Sequence, residues 1–288
     1  MKLFKKIILG STILLAITII VYFVYFNPTQ DIPTQKNIQN SVNTELVKWG
    51  NAKLFDIFVD PKDIVMINGK QIPMKATFQL KPDLSDTYSE IGVYDKKNKP
   101  LFIIPLFTAS AYSKNGFYDF YSGNCDTCLT TKIVSTDGLG EQSSANAIKI
   151  LELLGYDSIT DIELDKSPNI LSKYEKVIVL HNEYVTESMF NAITSHPNVI
   201  YLYPNALHAK ISTNYEDDTI SLIRGHGYPE SKIDNGFDWE FDNTRPYEFD
   251  KKCDDWKFYD IPSGKMLNCY PEQKIWKDEK FLKALKEL

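Results

Sequence analysis

The chain has 288 residues, enough for one large domain or two small ones, and 43% of them are hydrophobic, which permits a full core. Its net charge of −6 argues against a nucleic-acid binder, which needs a basic face, and no Walker loop or GxGxxG fingerprint is present. Aromatics are abundant, with 17 Tyr and 16 Phe.

Lys2, Lys5 and Lys6 precede IILGSTILLAITIIVYFVYF, residues 7–26, a run of 20 residues without a charge. That length spans a bilayer core. Tyr22 and Tyr25 stand near its outer end, as interfacial aromatics do, and the basic flank keeps residues 1–6 in the cytoplasm. A cleaved signal peptide would end in small residues, whereas this run ends Val-Tyr-Phe-Asn, so the expectation is an uncleaved anchor in the cell membrane. Residues 27–288 then lie outside the cytoplasm. Without the three lysines, 29 basic face 38 acidic residues, a charge of −9.

Residues 27–50 are polar at first, with two prolines, and read as a tether. Residues 51–98 read as β-rich: KDIVMI, MKATFQL and SEIGVYD are short runs separated by turn compositions such as NGK and KPDLSD. From residue 99 the pattern changes. LFIIPLF, KVIVL and NVIYLY suit buried strands. SSANAIKILELLGY reads as a helix stopped by Gly155, and TESMFNAITSH as one opened by Thr186 and ended by Pro197. Apolar runs alternating with amphipathic helices predict an α/β fold over residues 99–250, a parallel sheet flanked by helices. In such sheets ligands sit beyond the carboxyl ends of the strands. Three polar clusters fall there: TASAYSKNGFYDFY, HNEY and PNALHAK. Ser143 and Ser144 read as helix caps, Asn205 as a turn residue and His226 of RGHGYPE as loop. No G-x-S-x-G or G-x-C-x-G elbow is present.

Residues 251–288 form a cysteine-containing tail. KIWKDEKFLKALKEL predicts a terminal helix with Ile275, Phe281 or Leu282, and Leu285 on one face. Outside the cytoplasm the even cysteine count suggests disulfides. Cys125, Cys128, Cys253 and Cys269 allow three pairings, of which Cys125–Cys128 with Cys253–Cys269 joins the nearest neighbours. Zinc ligation and thioredoxin-like exchange at CDTC are the rival readings. The second pair is spaced too widely for another CxxC, and no strand leads directly into CDTC.

The series PLFTASAYSKNGFYDFY, HNEYVTESM, YLYPNAL and DWEFDN, in that order, resembles the C-terminal domain of the N,N-dimethylformamidase large subunit. That family shows Ala-Tyr-Asn followed by a further Tyr, then His-Pro-Glu-Tyr, a strand ending in Asn, and a late Glu-x-Asp. Asn182 and Ser113 replace the family's Pro and Asn, and SHPN replaces its Gly-rich stretch. The resemblance implies a class I glutamine amidotransferase-like fold and a mononuclear iron bound by two Tyr and one Glu. By motif position the metal candidates are Tyr112, Tyr184 and Glu240, with His181 and Glu183 as catalytic candidates. Phenolate and carboxylate are hard donors suited to ferric iron, and bound water activated there could hydrolyse an amide C–N bond. The alternative is a non-catalytic cell-surface or envelope protein that uses the same fold to bind a small molecule or surface ligand.

Overall fold

The computed structural model describes residues 46–288. The run 7–26 and most of the expected tether lie outside the described residues. Among the described residues no helix is long and apolar enough to cross a membrane. The chain divides into two compact units between Asp83 and Leu84.

The described part of the first unit is built from strands β1 (Val47–Lys48), β2 (Phe55–Val59), β3 (Ile64–Ile67), β4 (Lys70–Pro73) and β5 (Thr77–Leu80). β1, β2 and β5 form an antiparallel sheet, and β3 and β4 a separate hairpin. Phe55, Ile57 and Val59 alternate inward along β2, and Phe55 meets Phe78 edge to face.

The second unit opens with α1 (Ser85–Ile91), where the sequence pattern predicts a strand in SEIGVYD. Tyr88 and Ile91, three apart, are the buried positions, which is the spacing of one helix face. β6 (Leu101–Ile104) follows, then α2 (Leu106–Ala111), α3 (Phe117–Tyr121), β7 (Thr130–Lys132), α4 (Ala145–Leu153), β8 (Asp157–Thr160), α5 (Asp161–Lys166), β9 (Val177–Val179), β10 (Tyr184–Val185), α6 (Glu187–Thr194) and β11 (Val199–Tyr201). The chain ends with β12 (Ala209–Asn214), β13 (Thr219–Arg224), α7 (Thr244–Tyr247), β14 (Phe258–Ile261), β15 (Gly264–Leu267) and α8 (Glu279–Glu287).

The central sheet has the order β14-β15-β11-β9-β6-β8 and is parallel except for the β14 edge. It is flanked by helices, so the unit is α/β. Leu101, Ile103, Val177, Val179, Val199 and Tyr201 share one buried cluster, while the alternate Phe102, Ile178 and Ile200 are buried as well. Burial on both faces is why these strands read as unbroken apolar runs. β6 is shorter than LFIIPLF because Pro105 ends it and the chain turns into α2. α4 stops as expected: Gly155 adopts φ 85°, and the Tyr156 amide bonds back to the Leu151 carbonyl. The Thr186 hydroxyl caps α6 by accepting from the Met189 amide. The terminal helix starts later than Ile275, because Asp278 caps it at the Phe281 amide. A second sheet has the order β10-β12-β13-β7, and its β10 follows β9 after the short segment 180–183.

All four cysteines are paired, Cys125 with Cys128 and Cys253 with Cys269. The second bridge spans the β14–β15 hairpin.

Candidate functional site

β9 delivers the HNEY segment, and its polar side chains turn inward. His181 is 2% exposed and Asn182, Glu183 and Tyr184 are fully buried. Local bonds force this path. Asn182 Oδ1 accepts from the Leu180 amide. Thr108 Oγ1, from α2, accepts from the Glu183 amide at 3.0 Å and the Tyr184 amide at 3.4 Å. The Glu183 carbonyl accepts from the His208 and Ala209 amides as the chain enters β12. The Glu183 backbone is thus fixed from both sides before its carboxylate meets anything.

That carboxylate is the centre of the site. Tyr118 donates to Glu183 Oε1 at 3.2 Å, and the Tyr112 and Tyr118 hydroxyls are in direct contact. The two rings stack, 3.9 Å between centroids. His226 Nε2 lies 2.5 Å from Glu183 Oε1 but off the direction of a hydrogen bond. His181 Nε2 is 3.5 Å from Oε2. Burial alone would raise the Glu183 carboxyl, but His226, then His181 and His208, hold it at about 2. Burial and then the Glu183 charge push the Tyr112, Tyr118 and Tyr184 hydroxyls well above the usual phenol value.

His181 Nδ1 donates to the Gln142 carbonyl at 2.6 Å, so Nε2 keeps its lone pair towards Glu183. Burial lowers its pKa. Tyr270 packs against its edge and Tyr203 stacks on its face. His208 sits opposite, with Nδ1 2.8 Å from Asp242 Oδ2 and its ring 4.4 Å from that of His226. Burial depresses the His208 imidazole, but the Asp242 bond and charge outweigh this and its pKa is raised.

The sequence-predicted residues are distributed unevenly over this arrangement. Tyr112 reaches Glu183 through Tyr118, and His181 Nε2 stands at the other carboxylate oxygen. Tyr184 is adjacent, but its hydroxyl meets Tyr121 at 3.4 Å and its ring packs on Phe117. Glu240 is exposed, and the carboxylate that enters the cluster from DWEFDN is Asp242, two residues on. His226, expected as loop, does leave β13 in a turn, yet its ring reaches Glu183. Ser143 Oγ accepts from the Gly140 amide, reaching back from the third position of a short 3-10 turn, and Ser144 Oγ accepts from the His181 amide rather than capping α4. Tyr118 had one signal in the sequence: the second Tyr of the resembling pattern falls in FYDFY.

Among the described residues no three His, Cys, Asp or Glu form a metal-holding group. The donors that converge here are two phenols and one carboxylate, a set of a different kind. Glu183 Oε2 and the Nε2 atoms of His181, His208 and His226 are buried without a hydrogen-bond partner. Buried polar atoms are normally satisfied, so the Glu183 Oε2 oxygen and the His181 and His226 nitrogens beside that carboxylate, all without a hydrogen bond, fit a bound cation and its water. No family model and no curated protein matches the chain.

Proposed function

We propose that the strand-end cluster binds one ferric ion and hydrolyses amide C–N bonds, in a protein anchored by residues 7–26 with residues 27–288 outside the cytoplasm. The observation that carries this reading is the meeting of Tyr112, Tyr118 and Glu183 beyond the ends of parallel strands. It supplies the two-Tyr, one-Glu donor set of the N,N-dimethylformamidase-like pattern, and supports the amidotransferase-like form of the fold. The proposed ligands differ from the motif-derived ones, with Tyr118 in place of Tyr184 and Glu183 in place of Glu240.

When bound, ferric iron would supply Lewis acidity that polarises an amide carbonyl and acidifies water. His181 Nε2, kept as an acceptor by the Gln142 carbonyl, receives the proton of the attacking water and returns it to the departing amine. Water oxygen is thereby added to the acyl carbon as the C–N bond breaks. Burial of the surroundings strengthens each of these electrostatic contacts.

The test uses the full chain in detergent, loaded with ferric iron. A visible phenolate-to-iron charge-transfer band at one iron per chain is expected, absent in Tyr118→Phe and Glu183→Gln. Folded wild-type protein that gains neither iron nor colour would refute the metal site. The alternative is a non-catalytic surface or envelope binding protein on the same fold. Iron binding without turnover of N,N-dimethylformamide or formamide would select it.

A further inference from the structure

Resting on the metal site just proposed, we infer that His226 is a fourth ligand, turning a three-oxygen set into three oxygens and one nitrogen. Four donor atoms form a continuous chain of contacts: Tyr112 Oη against Tyr118 Oη, Tyr118 Oη 3.2 Å from Glu183 Oε1, and Oε1 2.5 Å from His226 Nε2. Small shifts of these side chains would let all four donors reach one ion at about 2.0–2.2 Å.

The His226–Glu183 contact is the informative one. The nitrogen is buried, close to a carboxylate oxygen, and outside hydrogen-bond geometry. A cation bound by both groups would account for the missing hydrogen bond. His181 does not compete for this place, since its Nε2 stands by the other oxygen, Oε2, at 3.5 Å. His208 Nδ1 is engaged by Asp242, and its Nε2 is 3.8 Å from Asp234 Oδ1.

The backbone is committed to aiming this ring. Gly225, His226 and Gly227 all have positive φ, 127°, 52° and 79°. The His226 amide bonds to the Asp234 carbonyl and the Gly227 amide to the Ile233 carbonyl, which pins the turn. A non-glycine residue in the left-handed region is strained and persists where its surroundings enforce it.

The experiment compares full-length wild type, His226→Gln and His226→Ala, each loaded with ferric iron in detergent. Pulsed electron paramagnetic resonance on wild type should detect a nitrogen directly bound to iron. The coupling should vanish in His226→Gln, the charge-transfer maximum should move, and iron affinity should fall about tenfold or more, at least the loss that removing an outer partner of a ligand causes. Imidazole added to His226→Ala should restore the nitrogen signal. A purely structural histidine would alter melting temperature and leave the spectrum unchanged. Wild-type iron without bound nitrogen overturns the inference and spares the site; so does a nitrogen signal that survives in folded His226→Gln. Folded wild type with no iron overturns the metal site itself. Where neither variant folds, the wild-type spectrum decides.

Discussion

Replacing Thr108 by Val keeps the side chain's shape and removes the one acceptor shared by the Glu183 and Tyr184 amides. Thr108 is fully buried, so two amide groups would be left unsatisfied. Each buried orphan costs about 1–3 kcal/mol, and Thr108→Val is expected to lower stability by about that amount or more in a denaturant titration. A second buried carboxyl gives a pH signature. Glu272 accepts from the Asn146 amide at 2.7 Å and from the Tyr203 hydroxyl, yet burial outweighs both and pushes its pKa up to about 8 from 4.5. The folded protein then holds a proton that the unfolded chain releases. This stabilisation is complete below the unfolded value of 4.5 and is lost as pH rises through about 8. A tenfold change in proton affinity is worth about 1.4 kcal/mol, so raising pH across this window removes a few kcal/mol of stability through Glu272. Melting curves of Glu272→Gln should show a flatter decline across that window than wild type. Parallel slopes would show that Glu272 is ionised in the folded state.

At the scale of elements, β15 is held so tightly against β11 that Gly264 has no room for a side chain. A Cβ there would lie 1.8 Å from the Val199 carbonyl oxygen, and φ is 156°. Gly264→Ala must push the two strands apart, at a cost of at least the roughly 1–3 kcal/mol of ordinary overpacking, measurable as a lower denaturation midpoint. Unchanged stability would mean that this edge of the sheet yields freely. What was legible in the sequence follows the range of the forces involved. The strands β6, β9 and β11 announce themselves because burial on both faces demands unbroken apolar residues. α4 and α6 announce themselves because caps and stops are local. α1 was hidden, since seven residues with one buried stripe hardly differ from a strand. HNEY was visible as polar residues at a strand end. His208, Asp242 and His226 were not, because pairings far apart in sequence bring them to the cluster, and Tyr118 was marked only by the further Tyr of the resembling pattern. Glu240 and Asp242 differ only in which way one turn points, which their charges do not reveal.

At the scale of the whole molecule, membrane attachment and oxidation state are linked predictions. The proposed anchor makes retention in the membrane depend on residues 7–26. The full chain should resist alkaline extraction, and protease added to intact cells should remove most of it. A mature N-terminus near residue 27 would show a cleaved signal peptide instead. Deleting residues 7–26 should leave the chain in the cytoplasm, where thiols stay reduced. The exported protein should titrate with no free thiols, and the deleted one with four. Their stabilities should then differ. The Cys253–Cys269 bridge closes a loop with a sequence separation of 16, worth about 3 kcal/mol in chain entropy. Cys125–Cys128, with a separation of 3, constrains far less chain and contributes less. The cytoplasmic form should therefore unfold at lower denaturant. Oxidation of the purified protein should recover most of the difference, and a Cys253→Ser/Cys269→Ser pair should abolish that recovery. Recovery that survives this double substitution would assign the effect to the short CDTC bridge, against the loop-entropy argument.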